Sequence, residues 1–362
     1  MPRVGILSPS LDTADALSND ALGMYDVLKR RGHEVHLFCE SHSLSHTAIY
    51  DATRIKSFLR APTDILIYHY ARGWDHGLQL LRELRCRRVI KYHNVTPAKY
   101  FAGFNSHDEQ LCEAGRKQLA DVVAAECDLY MSASAFSMRE LRELGADPAT
   151  TFVVPPFHHI DRLTQIGADQ LTLQSNSRAH ANIVSVGRVV PHKGFLQLIE
   201  VFAHYHYGCN RKSRLIIVGK GGEGHSAYSK LLHRAVDKLH LSSAVVFTGG
   251  VSDAVLKAYY QIADAFVMAS EHEGFCVPLV EAMSMKLPIT AYAATAIPET
   301  VGDAGIVWKE RDPLLMAESI NLFLRDSSVS SALGQRGRRR YEALFSNEKV
   351  ESTFLEAMAT LE

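Results

Sequence analysis

The sequence predicts an α/β protein made of two doubly wound domains, each built on a parallel sheet. Short apolar runs alternate with helix-length amphipathic stretches, and strands buried on both faces of a parallel sheet have this continuous apolar character. The alternation occurs twice, and the pair Pro155-Pro156 and a polar stretch over residues 165–182 separate the two series. The length of 362 residues also suits two or three domains.

Six apolar runs of the first series predict strands, and four amphipathic stretches predict helices. The strands are expected at residues 4–7, 35–38, 65–68, 89–92, 129–132 and 152–154, and the helices at 20–31, 78–84, 107–125 and 135–144. In the last of these helices, Phe136, Met138, Leu141 and Leu144 recur near the 3.6-residue period of an amphipathic helix.

The second series has the same character. Strands are expected at residues 183–186, 215–218, 245–247, 265–268, 289–291 and 305–308, and helices at 194–206, 226–239, 253–262 and 279–285. The tail is predicted to be helical from Pro313 onward, with the last helix beginning near Asn347. We therefore expect one domain over residues 1–165, a second over 166–345, and a helix over 346–362 that returns to the first domain.

Composition and charge exclude several classes of protein. Lysine and arginine total 39 against 40 for aspartate and glutamate, so the chain has no basic field for nucleic acid. No apolar run reaches the roughly 20 residues of a membrane-spanning helix, and the N-terminus lacks the pattern of a signal peptide. The six cysteines are scattered without a C-x-x-C pair, which is typical of reduced thiols. These features predict a cytoplasmic protein.

A glycine-rich segment follows the second strand of the second series. Residues 219–224 match G-x-G-x-x-G, but a dinucleotide fingerprint opens the first βαβ unit and has an acid at the end of the next strand. Asp237, 18 residues after Gly219, falls within a predicted helix instead. We therefore interpret the segment as a turn that lets the chain pass close to a ligand.

Two basic residues and two carboxylates follow strands of the second series. Arg188 and Lys193 lie in the loop after its first strand, and both types of side chain bind phosphate oxygens. Seven residues separate Glu273, in the loop after the fourth strand, from Glu281, in the next helix. The backbone N–H groups of Phe275, Cys276 and Val277 are expected to form an anion site at the start of that helix. This set suits a ligand with hydroxyls at both ends and a diphosphate between them, such as a nucleotide diphosphate sugar.

These segments resemble the retaining glycosyltransferases of family 4, which have the GT-B fold and an E-x7-E motif. The resemblance is strongest over residues 183–300 and includes Gly187-Arg188, Lys193-Gly194, 247–252, Glu273-Gly274-Phe275 and Glu281-Ala282. It implies two Rossmann-like domains that face each other across a cleft, the first binding the acceptor and the second the nucleotide sugar.

The resemblance also implies roles for single residues. Arg188 and Lys193 would bind the donor diphosphate, Glu273 the hydroxyls of the sugar and Glu281 those of the ribose. Main chain near Val251 would meet the base, and the turn at Gly219 would flank the nucleotide. The donor-binding residues are then Arg188, Lys193, Gly219, Val251, Glu273, Gly274, Phe275, Cys276, Val277 and Glu281, and the catalytic ones His93, Glu273, Arg188 and Lys193.

The first half resembles the family more loosely. Tyr92-His93-Asn94 ends its fourth predicted strand, where such enzymes place a histidine against the reacting sugar; a buried, hydrogen-bonded imidazole is the alternative reading. Family members often carry a Gly-Gly loop after the first strand, but residues 12–20 stand there in this chain. Ser18 or Asn19 is expected to cap the following helix and present backbone N–H groups.

No D-x-D motif lies at a strand end, so we expect a metal-independent enzyme without a cofactor, in which cations and the helix dipole stabilise the leaving diphosphate. The acceptor is expected to be a saccharide or a lipid-linked saccharide of surface polysaccharide or lipopolysaccharide biosynthesis, and mannose is the first expectation for the sugar. A nucleotide-sugar epimerase of the same fold and a non-catalytic sugar-binding protein are the alternatives.

A cluster of arginines close to the second predicted helix, at residues 78–84, permits one further expectation. Leu78, Leu81 and Leu84 lie beside Arg82, Arg85, Arg87 and Arg88 in the sequence. Such a segment can bring an enzyme to the inner face of an anionic membrane, although a solvated helix end is the simpler interpretation.

Overall fold

The computed structural model describes residues 2–13, 15–45, 47–175, 181–221 and 226–361. These residues form two compact units. The first consists of Met1–Lys99, His107–His159 and Asn347–Glu362, and the second of Tyr100–Ser106 and Ile160–Ser346.

The first unit is an α/β layer structure around a parallel sheet. Its strands are β1 (Arg3–Leu7), β2 (Ser10–Leu11), β3 (Glu34–Cys39), β4 (Ser41–His42), β5 (Ile49–Asp51), β6 (Ile65–Tyr70), β7 (Arg87–Tyr92), β8 (Leu129–Ser132) and β9 (Thr151–Val153). Its first helices are α1 (Ala16–Arg30), α2 (Ile55–Phe58), α3 (Asp75–Glu83), α4 (Ser106–Val123) and α5 (Ala135–Glu143). Seven strands pair in the order β5-β3-β1-β6-β7-β8-β9, while β2 and β4 form a separate pair.

The second unit repeats the architecture with six strands. They are β10 (Ala181–Val186), β11 (Ser213–Val218), β12 (Val245–Gly249), β13 (Ala265–Met268), β14 (Ile289–Tyr292) and β15 (Gly305–Trp308). The helices are α6 (Ile160–Gln165), α7 (Gln170–Ser175), α8 (Phe195–Gly208), α9 (Ser226–Lys238), α10 (Asp253–Ile262), α11 (Val277–Ser284), α12 (Ile297–Val301), α13 (Pro313–Arg325) and α14 (Ser327–Arg340). The strand order is β12-β11-β10-β13-β14-β15, with every pair parallel.

The strand orders place a reversal at the centre of each sheet. Successive connections lead outward from β1 and β6 in the first sheet, and from β10 and β13 in the second. Loops that leave the carboxyl ends of such a central pair diverge to opposite faces, which opens a crevice where α/β proteins bind ligands. The strand order therefore predicts, for each sheet, a ligand at the carboxyl ends of its central pair of strands.

The last helix belongs to the first unit. After α14 the chain makes a π-helical turn over Tyr341–Phe345 and then forms α15 (Asn347–Ala359). Buried side chains of α15, including Val350 and Phe354, join the apolar core of the first sheet, and the Phe354 ring meets Phe157 edge to face. An ion pair between Arg30 and Glu351, 2.5 Å long, links α15 to α1 at the surface.

The division into units differs from the predicted boundaries in two places. Residues 160–165 belong to the second unit, because Lys257 on α10 donates to the carbonyl groups of Thr164 and Ile166 at 2.6 Å each. Residues 100–106 also belong there. Phe104 packs edge to face on Tyr228, which anchors that segment to the helical layer of the second unit.

The leucines beside the arginine cluster are part of the core. Leu78, Leu81 and Leu84 are buried, whereas Arg82 and Arg85 are exposed. These leucines are therefore not available for a membrane contact, which agrees with the simpler interpretation of a solvated helix end. Within the described residues, none of the helices combines the length and apolar character needed to cross a bilayer.

Candidate active site

The loop after β10 carries the two predicted phosphate-binding cations. Arg188 is exposed, and within the described ranges its guanidinium makes no hydrogen bond or ion pair, although its carbonyl oxygen accepts from the Val190 N–H at 2.9 Å. The chain then forms a single 3-10 turn, Pro191–Lys193, and Gly194 follows with φ 67°. A Cβ at Gly194 would lie 2.0 Å from the carbonyl oxygen of Ala269, so only glycine lets this loop cross so close to the end of β13.

That close crossing brings Lys193 to Glu273. The Nζ of Lys193 lies 2.7 Å from Oε1 and 2.9 Å from Oε2 of the glutamate, and both side chains are largely withdrawn from solvent. Thr295 holds the Glu273 backbone, since its hydroxyl accepts from the Glu273 N–H and donates to the Glu273 carbonyl, each at 2.7 Å. The cation that was predicted to bind phosphate and the carboxylate that was predicted to bind sugar hydroxyls therefore neutralise each other in this structure.

Helix α11 begins beside this pair. Its cap residue is Cys276, with φ 81° and no hydrogen bond from its side chain to the helix, and Pro278 occupies the first turn. The backbone preceding the helix is fixed by Thr300, whose hydroxyl donates to the Phe275 carbonyl at 2.8 Å. Burial holds the pKa of the Cys276 thiol well above its usual value, so Cys276 remains protonated and is unsuited to nucleophilic chemistry.

Glu281 lies on α11 and is partly buried. It accepts a hydrogen bond from the Tyr260 hydroxyl at 2.6 Å. Burial raises the pKa of Glu281 to about 6, and the Tyr260 hydrogen bond opposes part of that rise. Tyr260 was not identified from the sequence, because the amphipathic pattern of α10 does not indicate which other helix this tyrosine contacts.

The remaining predicted donor residues follow neighbouring strands of the same sheet. Gly219 ends β11, and a Cβ there would lie 1.9 Å from the carbonyl oxygen of Gly187, so the two loops touch through backbone alone. Val251 follows β12. The last residue of that strand, Gly249, accepts a hydrogen bond from the Gly219 N–H at 3.1 Å. Residues 222–224 of the glycine-rich segment lie outside the described residues.

The structure therefore gathers most predicted donor residues at one edge of the second sheet. Arg188 and Lys193 follow β10, and Glu273 follows β13, the strand beside it at the reversal of strand order. Four charged side chains and the N-terminus of an eight-residue helix thus lie around the crevice expected for a ligand.

His93 lies in the first unit, where its imidazole is close to other titratable side chains. It follows β7, and its Nε2 lies 2.9 Å from Nδ1 of His69 and 3.5 Å from Oδ2 of Asp20. The ammonium of Lys91 lies 3.5 Å from the same carboxylate oxygen. Burial, together with neighbouring His69 and Lys91, holds the pKa of His93 well below its ordinary value, so the imidazole is neutral at pH 7.

Sequence reasoning found His93 but missed its three partners. Asp20, His69 and His93 offer nitrogen and oxygen atoms that all lie within 4.8 Å of one another, a spacing at which side chains can hold a metal ion. The ammonium of Lys91 already supplies a positive charge to that carboxylate, which disfavours a second cation beside it.

The loop after β1 does not present the cap predicted for it. Asp15, and not Ser18 or Asn19, caps α1: its carboxylate accepts from the Ser18 N–H and hydroxyl at 3.0 Å each. The Ser18 hydroxyl in turn accepts from the Asp12 N–H at 2.8 Å. A carboxylate therefore satisfies the N-terminus of α1 and disfavours a phosphate there, in contrast to an open Gly-Gly loop.

Sequence comparisons give a family model that matches most of the second unit and curated relatives that match more of the chain. The family model described as glycosyl transferases group 1 matches residues 175–340. Among curated relatives, a D-inositol 3-phosphate glycosyltransferase of Corynebacterium efficiens is 27% identical over 289 residues, which are 75% of this chain and 65% of that protein. An O-antigen chain mannosyltransferase B of Escherichia coli is 29% identical over 254 residues, 69% of this chain and 65% of that protein. The matches thus span just under two thirds of these two relatives.

Structural comparisons extend over both units. A sucrose-phosphate synthase from Thermosynechococcus elongatus superposes with a TM-score of 0.79 at 18% identity, covering 100% of this chain and 99% of that one. Anabaena HepE, solved in complex with UDP and glucose, superposes with a TM-score of 0.75 at 16% identity, covering 99% and 100%. These findings confirm the predicted fold of two parallel-sheet α/β domains and the predicted resemblance to GT-B glycosyltransferases.

Proposed function

We propose that this chain, whose residues 175–340 match the family model of group 1 glycosyl transferases, is a glycosyltransferase that moves a hexose from a nucleotide diphosphate sugar to a saccharide or lipid-linked saccharide. The observation that carries this proposal is the set of charged groups around the crevice between β10 and β13. Two cations, a helix N-terminus and two carboxylates match the charge pattern of such a donor, which has hydroxyls at both ends and a diphosphate between them.

In this proposal the departing diphosphate is stabilised by positive groups of the second unit. The side chain of Arg188 has no partner among the described residues, so its guanidinium is available for phosphate oxygens without breaking an existing contact. Lys193 must instead divide its hydrogen bonds between Glu273 and a phosphate oxygen. The backbone N–H groups at the start of α11 add the dipole of the helix.

The two glutamates bind opposite ends of the donor. Glu273 accepts hydrogen bonds from hydroxyls of the transferred sugar, because its carboxylate lies beside the cation that binds the diphosphate. Glu281 lies eight positions further along and accepts from the ribose hydroxyls. His93 contacts the transferred sugar from the first unit.

We further propose that the reaction retains the anomeric configuration by front-face substitution. The bond between the anomeric carbon and the β-phosphate oxygen breaks, and the acceptor oxygen bonds to that carbon on the same face. The acceptor proton passes to the departing phosphate oxygen. A double displacement needs a carboxylate nucleophile, whereas Glu273 is held by Lys193 and the Cys276 thiol is protonated.

Mannose is the sugar we propose, from GDP-mannose, for a surface polysaccharide or lipopolysaccharide. The resemblance of Glu273-Gly274-Phe275-Cys276 to mannosyltransferases of surface polysaccharides supports this choice, as does a relative named as an O-antigen chain mannosyltransferase. We also propose a cytoplasmic location, in which the exposed Arg82 and Arg85 permit electrostatic contact with an anionic membrane.

A panel of nucleotide sugars tests the proposal. A ligand that binds only the folded protein raises its melting temperature, so the preferred donor is the one with the largest shift. That donor should then be consumed with saccharide acceptors, and consumption without acceptor distinguishes an epimerase from a transferase. Arg188→Ala should lose the shift, while Arg234→Ala, an exposed arginine of α9, should retain it. A shift without turnover would favour a non-catalytic sugar-binding protein, and the absence of both across the panel would contradict the proposal.

A further inference from the structure

The first unit buries four polar side chains together at the ligand-binding edge of its sheet. His69 on β6 and Lys91 on β7 are cross-strand neighbours, His93 follows β7, and Asp20 lies on α1, the helix after β1. The side chains of Asp20, His69 and Lys91 are fully buried, and that of His93 is 11% exposed. Burying a charged pair at this depth is costly unless its geometry is well satisfied.

Most polar atoms of the cluster have fixed partners. The ammonium of Lys91 donates to the carbonyl oxygen of Val154 and lies 3.5 Å from Oδ2 of Asp20. Oδ1 of Asp20 accepts from the Phe157 N–H at 2.8 Å. The second carboxylate oxygen therefore faces only the ammonium and, at 3.5 Å, Nε2 of His93.

The contact between His69 and His93 is a hydrogen bond, which requires a proton on one of the two facing nitrogens and not on the other. Nε2 of His93 and Nδ1 of His69 are 2.9 Å apart, so one of these nitrogens donates and the other accepts. If His69 donated, the lone pair of His93 Nε2 would face the Asp20 carboxylate across 3.5 Å. If His93 donates, its N–H group lies in the field of that carboxylate, which is the favourable arrangement.

We infer that Asp20, held by Lys91, is a positioning residue that keeps the proton of His93 on Nε2, with His69 as the acceptor. The other nitrogen of His93, Nδ1, then carries a lone pair and can accept a hydrogen bond from a hydroxyl of the transferred sugar. This last step rests on the proposed function, whereas the position of the proton does not.

The low pKa of both histidines agrees with this arrangement. Burial, with a contribution from Lys91, lowers the pKa of His69 to about 3, so that ring is neutral and has a nitrogen able to accept. A buried ion pair adds little net stability compared with apolar residues of the same volume. Burial raises the pKa of Asp20 and the Lys91 ammonium opposes that rise, so the contribution of the pair is the negative oxygen that it presents to His93.

The substitution Asp20→Asn gives a sharp test, because the Phe157 N–H fixes the orientation of the new side chain. That N–H needs an acceptor, so the amide oxygen of Asn takes the place of Oδ1 and the amide NH2 group takes the place of Oδ2. A donor then faces His93 Nε2 where an acceptor stood, and the proton should move to Nδ1. Lys91→Met accompanies the change so that no buried ammonium is left without its carboxylate.

The position of the proton is read directly by NMR on the full-length protein labelled with 15N-histidine. The His93 signals are identified by their loss in His93→Gln. At pH 7 the unaltered protein should show a neutral His93 with Nε2 protonated, and Asp20→Asn/Lys91→Met should show Nδ1 protonated. A wild-type His93 that is protonated on Nδ1 or on both nitrogens would overturn the inference, as would a double variant that keeps the Nε2 proton.

Turnover of the nucleotide sugar tests the consequence for the reaction. Removing the group that orients a histidine typically costs about 10- to 100-fold in activity, so kcat of the double variant should fall by that factor. Its affinity for the nucleoside diphosphate, which lacks the sugar, should not change. Tyr130→Phe, which removes buried hydrogen bonds to Cys127 and Val123 elsewhere in the unit, is the matched control and should retain kcat.

The NMR measurement tests where the proton of His93 lies, and the kinetic measurement tests whether that position matters for the reaction. If the proton moves and kcat is unchanged, Asp20 does not position His93 for the reaction. If the wild-type protein turns over no nucleotide sugar, the proposed function fails, while the NMR result still decides where the proton lies.

Discussion

The ammonium of Lys193 lies between both carboxylate oxygens of Glu273, at 2.7 and 2.9 Å, with 15% and 6% of the two side chains exposed. The two residues are 80 positions apart and meet because loops from adjacent parallel strands end at the same edge of the sheet. A diphosphate entering the crevice therefore meets a lysine that is already paired. In the proposed reaction, the stability of the folded protein and the binding of the diphosphate are therefore coupled through this lysine.

Lys193→Ala should reduce both activity and stability. Loss of one preorganised donor to the leaving group costs about 2–4 kcal/mol of transition-state stabilisation. The variant also leaves the Glu273 carboxylate buried without its cation, which should lower the free energy of unfolding by about 1–3 kcal/mol. Steady-state kinetics and urea titration measure the two effects. Lys193→Met/Glu273→Gln is the control: it should recover stability and not activity. Near-normal kcat/KM in a folded Lys193→Ala variant would remove this lysine from the diphosphate site.

The two glutamates should differ in their kinetic effect. Glu273→Gln should depress kcat strongly, because its hydrogen bonds to sugar hydroxyls strengthen as the sugar gains positive charge. Glu281→Gln should mainly raise KM for the donor, because a ribose contact is the same in the ground and transition states. Titration with the nucleoside diphosphate gives an independent check: affinity should fall in Glu281→Gln and barely change in Glu273→Gln. The reverse pattern would show that the donor lies in the opposite direction along α11.

Nucleotide affinity should depend on pH through Glu281. Its pKa in the folded protein is raised from 4.5 to about 6, so ionisation opposes folding, and stability falls as pH rises from about 4.5 through 6. The ionised carboxylate accepts from two ribose hydroxyls, so affinity for a nucleoside diphosphate should rise through pH 6. Calorimetric titration between pH 5 and 7.5 measures this change. Glu281→Gln should remove that step and be more stable than the wild type above pH 6, by up to about 2 kcal/mol.

Turnover should not require a divalent cation. Arg188, Lys193 and the N-terminus of α11 provide positive groups for the departing diphosphate, which is the role a magnesium ion would otherwise fill. Turnover in excess EDTA should equal turnover with added Mg²⁺ or Mn²⁺. An absolute requirement for either ion would contradict this expectation.

The periodic parts of the fold could be predicted closely from the sequence. The runs at 129–132 and 265–268 coincide with the fully buried strands β8 and β13. A strand buried on both faces leaves an unbroken apolar run, so its limits are visible in the sequence. Short edge elements such as β5, at Ile49–Asp51, carry no such run and were not predicted.

Long-range contacts explain what sequence reasoning missed at the sites. His69 and His93 come from neighbouring strands, and no linear spacing marks residues 24 positions apart as a pair. Asp20 reads as an ordinary polar residue near the start of a helix, although it is fully buried. The cap of α1 was misassigned because Asp15, Ser18 and Asn19 are all good capping residues, and only the backbone path decides among them.

The position of α15 has a consequence for synthesis on the ribosome. Val350, Phe354, Ala357 and Leu361 complete the apolar core whose first strand begins at Arg3. The first unit therefore cannot complete its core until residues 350–361 have been translated, whereas Ile160–Ser346 precede them in the chain as one continuous stretch. A nonsense codon before residue 350 would therefore damage the unit that contains β1, far from that codon in the sequence.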